Sequence, residues 1–328
     1  MPAGERFASP LADGIAQFLA HKRVLGRRYE TEAYALRLFD RYLVERRVDA
    51  LRAITPELIA AFLTSRPRHC PRSFNHLLGV LHRLFDWLVA REIVARSPVR
   101  SPTRRAGAAR IPFIFAPEPA RRLLDLAAGL PDVPGAALRG PTFHAVFAVL
   151  YGLGLRVSEA CQLTMGDVDR HRRLLIIRNT KFGKDRLVPF GPRMGAMLDR
   201  YLARRRRHDP ALADDAPLFA IRAGSRLSRQ RVGSVFRRLL PALGLALPPG
   251  ASPPRVHDLR RSFAVQTLLR WYRTGIDPGQ RLLHLSTFLG HVQPESTAVY
   301  LTVTADLLAA AGGRFEAFAH PLVTEVRR

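Results

Sequence analysis

Four short segments of the sequence place polar side chains suited to phosphate chemistry inside otherwise apolar stretches. They are YGLGLRVSEACQL, with Arg156 and Glu159; TKFGKDRLVPF, with Lys181 and Lys184; HDLRRSFA, with His257 and Arg260; and LGHVQPESTAVY, with His291 and Tyr300. Two arginines, two histidines, a lysine and a tyrosine together would make a cationic pocket around a phosphate. The planar fork of arginine fits two non-bridging phosphate oxygens and keeps its charge. Tyrosine is a possible nucleophile whose usual pKa of ~10 is lowered by nearby cations.

Each of these residues also has a structural interpretation when it is taken alone. Arg156 and Glu159 could form a buried ion pair. His257 and Arg260, three residues apart, could be a solvated pair on one helix face. His291 follows a glycine and could simply end a helix, and Tyr300 could be a core residue. The functional interpretation therefore depends on the whole set.

Lysine is rare in this sequence, and its placement indicates a task that arginine cannot perform. Of the 52 Lys and Arg residues, three are lysines, and two of these, Lys181 and Lys184, lie close together. Arginine stays protonated, with a pKa above ~12, whereas a lysine in a cationic site can become a proton donor. Lys184 adjoins Asp185, which could neutralise it. Alternatively, both lysines merely contact a phosphate backbone.

Carboxylates at metal-ligand spacing are missing from these segments, so we expect neither a metal nor another cofactor. Asp167 and Asp169 begin a predicted strand, and Asp214 and Asp215 lie in a predicted loop. The cationic side chains would stabilise the transition-state charge that a metal ion otherwise stabilises.

The net charge indicates a polyanionic partner. The chain of 328 residues carries 52 Lys and Arg against 27 Asp and Glu, a formal charge of +25, and both the first 110 residues and the remainder are basic. The alternative is that the basic side chains only form a solvated surface, without a polyanionic partner.

The 2 cysteines do not make a disulfide framework. The longest apolar stretch, Phe143 to Leu155, is too short to span a bilayer, and residues 1–10 contain no apolar signal segment. We expect a cytoplasmic protein, associated with the nucleoid when bound to DNA.

Apolar periodicity predicts a mainly α-helical chain with a small antiparallel β-sheet. Residues 10–94 form a four-helix domain, residues 95–112 a linker rich in Pro, Ser and Arg, and residues 113–328 a second domain. Leu174–Arg178 and Arg186–Phe190 predict a hairpin. Helices in the second domain are predicted near 117–128, 141–153, 192–207, 228–240, 257–272, 280–289, 295–301 and 304–318.

The order of the four segments resembles the tyrosine recombinase or phage integrase family. GLRVSE is similar to its first box, TKFGKDRLVP to its catalytic hairpin, HDLRRSFA to its His-x-x-Arg box, and LGH with a tyrosine nine residues later to its nucleophile segment. The resemblance covers most of residues 113–320. It also implies that the four-helix region is a SAM-like core-binding domain preceding the catalytic domain. The spacer between the third and fourth boxes is longer than usual for the family.

The resemblance implies a role for each residue of the set. Arg156 and Arg260 would clamp the scissile phosphate, and His257 and His291 would hydrogen-bond it and assist proton transfer. Lys181 would protonate the leaving 5′ oxygen. Tyr300 would attack the phosphorus to give a 3′-phosphotyrosyl intermediate, and Glu159 would brace Arg156.

The expected activity is site-specific recombination of double-stranded DNA, in the integration, excision or transposition of a mobile element, without metal or ATP. The expected assembly is a homotetramer on two DNA sites, possibly with related recombinases. Two alternatives remain at this stage. A type IB topoisomerase would relax supercoils without a defined site, and a non-catalytic DNA-binding protein would form no covalent adduct.

Overall fold

The computed structural model describes residues 7–27, 29–65, 70–105, 107, 110, 112–178, 185–222, 224–247, 252–291, 295–298 and 300. The chain divides into two compact units, Met1–Ala109 and Arg110–Arg328. Lys181, Lys184 and the helix predicted over 304–318 lie outside the described residues.

The first unit has the four helices that the sequence predicts. They are α1 (Ala12–Val24), α2 (Glu30–Glu45), α3 (Pro56–Ser65) and α4 (Pro71–Val89), with a short 3-10 turn at Leu51–Ala53. Each of the four helices buries one apolar face, and the shared core includes Phe18, Phe39, Phe62 and Phe85. Pro71 starts α4 at a position where the N–H that proline lacks would have no partner within the helix.

The irregular segment after α4 packs on the rest of the first unit as far as Arg104. Val99 is buried in the same apolar core. The side-chain amide of Asn75 donates to the Arg104 carbonyl and accepts from the Arg104 N–H, both at 2.8 Å. The Arg104 guanidinium lies 3.8 Å from the centre of the Phe74 ring. These contacts fix the path of a segment that has no periodicity of its own.

The second unit is mainly helical and carries one small sheet, which confirms the predicted fold class. Its helices are α5 (Pro117–Ala128), α6 (Arg139–Gly152), α7 (Val157–Gln162), α8 (Pro192–His208), α9 (Arg229–Leu239), α10 (Val256–Arg273), α11 (Pro278–Leu289) and α12 (Glu295–Ala298). Its strands are β1 (Val168–Asp169), β2 (Leu174–Ile177) and β3 (Arg186–Pro189). Of the helices that the structure describes, none combines the length and the apolarity that crossing a membrane requires.

The sheet is antiparallel, in the order β1-β2-β3, and it presents the start of β3 to the site described below. Leu174 pairs with Pro189, and Ile177 pairs with Arg186. The two predicted strands are therefore present, and β1 adds a third strand of 2 residues.

Helix α6 is surrounded by protein and ends where the site begins. Its buried side chains include Phe143, Val146 and Phe147, and they lie on more than one face of the helix. A helix that is apolar all round belongs in a core. The chain leaves α6 through Leu153 and Gly154 and enters α7 at Val157, so a rigid element delivers Arg156 to its position.

Candidate active site

Arg156 is the residue that precedes α7, and Glu159 holds it there. The Arg156 N–H donates to Glu159 Oε2 at 2.8 Å, and Arg156 Nη1 donates to Glu159 Oε1 at 2.6 Å. A carboxylate in the first turn satisfies a donor that the helix itself leaves unpaired. The turn before Arg156 depends on Gly154, whose φ is +61° and where a Cβ would lie 2.6 Å from the Phe263 ring.

Glu159 is buried, and a second arginine completes its hydrogen bonding. Arg186, at the start of β3, donates from Nη1 to Oε1 at 2.8 Å and from Nη2 to Oε2 at 2.9 Å. Burial alone would raise the pKa of Glu159. The hydrogen bonds and charge of Arg186, together with the hydrogen bonds of Arg156, outweigh that effect and lower the pKa to about 2. The carboxylate is therefore ionised and committed to the two arginines.

Three arginines converge on the carboxyl end of α11. Arg186 Nε donates to the Phe288 carbonyl at 3.2 Å, Arg260 Nη2 to the Leu289 carbonyl at 2.7 Å, and Arg156 Nη2 to the Gly290 carbonyl at 2.8 Å. The last carbonyls of a helix have no partner within it and carry partial negative charge. The end of α11 therefore holds three guanidinium groups together despite their mutual repulsion.

Gly290 permits this close approach. It ends α11 with a φ of +67°, and a Cβ there would lie 2.9 Å from Nη1 of Arg186. The left-handed conformation at a helix end costs glycine little. The glycine that precedes His291 is therefore required both by the backbone conformation and by the arginine beside it.

Arg260 is the most deeply buried cation of the site, with a relative exposure of 1%. Its Nη1 donates to the Gly154 carbonyl at 2.7 Å, so it ties the turn before Arg156 to α11. Its Nε is buried and makes no hydrogen bond to any residue that the structure describes. Burial, and then the charge of Arg156, lower the pKa of Arg260 to about 10, which leaves it protonated at neutral pH.

The two histidines of the set are neutral at neutral pH. His257 lies one turn before Arg260 on α10. The residue is exposed, but loss of water on the side of the ring that faces the protein, and the charges of Arg260 and Arg261, lower its pKa to about 4. Partial burial and the charges of Arg260 and Arg156 likewise lower the pKa of His291 to about 4.

His291 is oriented by a hydrogen bond from the segment that carries Tyr300. Its Nδ1 lies 2.7 Å from Oγ1 of Thr297, a buried residue of α12. The ring centres of His291 and Tyr300 are 6.2 Å apart. Tyr300 is 6% exposed and belongs to an apolar cluster from α10 and α11 that includes Val265 and Leu289. The structure thus buries the tyrosine beside the cationic cluster.

The structure brings together six of the eight residues singled out from the sequence: Arg156, Glu159, His257, Arg260, His291 and Tyr300. Lys181, like Lys184, is outside the described residues. Arg186 was missed. The sequence does give one signal for Arg186: it is a charged residue at the start of an otherwise apolar strand, directly after the lysine turn. Its contacts with Glu159 and α11 cannot be inferred from sequence spacing.

The matches to known proteins extend over both units. Residues 137–306 match the model of the phage integrase family. A protein of Sinorhizobium fredii (strain NBRC 101917 / NGR234) named as an integrase/recombinase, y4rB, is 36% identical over 266 residues, which are 80% of this chain and 84% of that protein. Tyrosine recombinase XerD of Mycobacterium tuberculosis (strain ATCC 25618 / H37Rv) is 31% identical over 289 residues, 83% of this chain and 86% of XerD.

Solved structures share the fold. The XerH site-specific recombinase bound to palindromic difH substrate, in a post-cleavage complex, superposes with a TM-score of 0.64 at 20% identity and covers 87% of this chain and 79% of its own. The Tn1549 transposon integrase in complex with transposon right end DNA gives a TM-score of 0.65 at 18% identity and covers 94% and 98%.

Proposed function

This chain belongs to the phage integrase family of tyrosine recombinases, enzymes of site-specific DNA recombination, and on that premise we propose that it cuts and rejoins DNA through a covalent 3′-phosphotyrosyl bond to Tyr300. The observation that carries the proposal is the convergence of Arg156 and Arg260 on the end of α11, with His291 and Tyr300 on the segment that follows.

The two arginines hold the scissile phosphate. The hydrogen bonds that fix each guanidinium use two of its five donors, which leaves donors for the non-bridging oxygens. Their positions are set before DNA binds, because backbone carbonyls and Glu159 hold them. Preorganised charge of this kind stabilises the pentacoordinate transition state without reorganisation during the reaction.

The proton transfers balance in a metal-free transesterification. Tyr300 Oη attacks the phosphorus and loses its proton to a neutral imidazole of His257 or His291. The bond to the 5′ oxygen breaks, and Lys181 donates a proton to that oxygen. The phosphotyrosyl ester conserves the energy of the phosphodiester bond, so a second hydroxyl can reverse the step without ATP. The negative phosphate raises the pKa of both histidines from about 4 toward neutrality when DNA binds.

The biological reaction we propose is integration, excision or transposition of a mobile element. Its substrate is double-stranded DNA, and its assembly is a homotetramer on two sites, with related recombinases as alternative partners. The protein acts in the cytoplasm, on the nucleoid. The fold similarity to a transposon integrase and to a recombinase captured on its DNA site supports this assignment.

Covalent trapping tests the proposal. Protein–DNA adducts would be isolated under denaturing conditions from cells that express the chain, and their junctions sequenced to give the target site. Nicked duplexes of that site then trap the adduct in vitro, in the presence of excess chelator. We expect adducts with the wild-type chain and none with Tyr300→Phe, while both bind the duplex equally. Adducts at wild-type yield from Tyr300→Phe would contradict the proposal, and efficient relaxation of unrelated supercoiled plasmid would favour a topoisomerase.

A further inference from the structure

Arg110, the first residue of the second unit, is bound to the helix that carries His257 and Arg260. Its Nη2 lies 2.8 Å from Asp258 Oδ2, and its Nη1 lies 3.2 Å from Asp258 Oδ1. Its Nη2 also donates to the Pro253 carbonyl at 2.6 Å. The Arg110 side chain is 16% exposed and that of Asp258 is 0% exposed. Arg110 and Asp258 therefore form a largely buried, two-point ion pair. Together with the Pro253 contact, it joins the start of the second unit to the loop before α10.

Asp258 is the residue that organises the first turn of α10. Its Oδ2 accepts from the Arg255 N–H at 2.8 Å, and its Oδ1 accepts from Arg261 Nη1 at 3.2 Å. A fully buried carboxylate is stable only when donors surround it. Arg110 supplies two of those donors, so the position of the Asp258 side chain, and with it the start of the helix, depends on Arg110.

Arg110 is one of five arginines in the segment 95–112. Its guanidinium is engaged by Asp258 and by the carbonyls of Ser252 and Pro253. Arg105, in the same segment, is exposed. Replacing Arg105 removes a positive charge from the segment, whereas replacing Arg110 removes a positive charge and the contact with α10. Comparing the two therefore isolates the effect of that contact.

We propose that Arg110 is a positioning residue for strand cleavage: by holding Asp258 it fixes the start of α10 and so the placement of His257 and Arg260. The inference rests on the proposed function. Arg110 touches no reacting atom and acts through Asp258. Without it, water enters beside a carboxylate that has lost two donors, and His257, which adjoins Asp258 in the first turn, shifts. A displacement of about 1 Å in a catalytic group can cost about 100-fold in rate.

The experiment compares full-length wild type with Arg110→Ala, Arg110→Lys and the matched control Arg105→Ala, on the duplex site mapped by covalent trapping. DNA affinity and the single-turnover rate of adduct formation at saturating DNA are measured separately, at a temperature where every variant is folded. We expect Arg110→Ala to slow adduct formation about 10- to 100-fold. Its affinity should change no more than that of Arg105→Ala, which cleaves at the wild-type rate. Arg110→Lys, with a charge but no fork, should recover part of the rate.

A second background tests whether Arg110 acts through its partner. In Asp258→Asn, the further change Arg110→Ala should slow adduct formation by less than about threefold, since residues that act as one unit are not additive. Full additivity, or equal rates for Arg110→Ala and Arg105→Ala, would overturn the inference. Failure of the wild type to form any adduct would instead overturn the proposed function.

Discussion

The contact between Arg186 and Glu159 gives a stability prediction whose size follows from burial. The change Arg186→Met keeps the length of the side chain and removes every donor. Glu159 then loses two hydrogen bonds, and the Phe288 carbonyl loses one. Breaking a buried ion pair by removing one partner costs about 3–5 kcal/mol. Because Arg156 still binds the carboxylate, we expect a loss near the lower end, about 3 kcal/mol.

The lowered pKa of Glu159 indicates a similar loss of folding free energy, and it predicts how stability depends on pH. It is lowered from 4.5 to about 2, which corresponds to about 3 kcal/mol of folding free energy. Since the folded pKa lies below the unfolded one, this stability is fully present above pH 4.5 and is lost as the pH falls through 4.5 toward 2. In Arg186→Met the pKa of Glu159 rises, so less stability should be lost in that window.

The matched control is Arg170→Met. Arg170 Nε lies 2.6 Å from Asp199 Oδ1, closer than Arg186 to Glu159, but the two side chains are 55% and 47% exposed. Exposed pairs contribute at most about 1 kcal/mol, so burial and not distance should decide the difference. Urea unfolding is followed by tryptophan fluorescence in a Trp87→Phe background, which leaves Trp271 of α10 as the reporter. Equal losses for Arg186→Met and Arg170→Met, or an unchanged pH dependence, would refute the reasoning.

Three further predictions concern the reacting groups. Arg260→Ala should slow adduct formation about 10²–10³-fold with little change in DNA affinity; equal losses of rate and affinity would reassign Arg260 to DNA positioning. Lys181→Ala should be slow on normal DNA and restored on DNA with sulfur as the 5′ bridging atom, because the thiolate of a thiol with a pKa of ~8.5 leaves without an acid. Lys184→Ala should be only mildly affected on both, and equal slowing of Lys181→Ala on the two substrates would show a contact role. NMR titration of the DNA-free protein, assigned with His257→Gln and His291→Gln, should place the pKa of both histidines near 4, and titration near the usual 6.5 would contradict the effect of their cationic surroundings.

Much of the fold could be predicted from the sequence, because most helices and strands have a local sequence signal. The apolar repeat of α4 predicts a helix from about residue 72 to residue 91, and the structure has it at Pro71–Val89. Helix α11 was predicted to begin near residue 280 but begins at Pro278, after Asp277 accepts from the Gly279 N–H at 2.9 Å. Asp277 and Pro278 form a start signal for this helix that the apolar repeat alone does not include. Strand β1, with 2 residues, is too short for any periodicity.

The residue types of the candidate site could be predicted from the sequence, but the contacts that hold those residues in place could not. Spacing within each segment placed Arg156 with Glu159, and His257 with Arg260. The supporting contacts join residues far apart in the chain: Arg186 is 27 residues from Glu159, and Arg110 is 148 residues from Asp258. They also include backbone carbonyls of α11, whose acceptor role has no signature in the sequence. Long-range contacts to backbone atoms are set by packing, which a single sequence does not display.

The point of attachment between protein and DNA tests the central claim most directly. The trapped adduct would be digested with nuclease and protease, and the peptide that carries the remaining nucleotide identified by mass spectrometry. The proposed chemistry predicts one modified peptide, joined through Tyr300 to the 3′ phosphate of the cleaved strand. Attachment at any other residue, or to a 5′ phosphate, would contradict it.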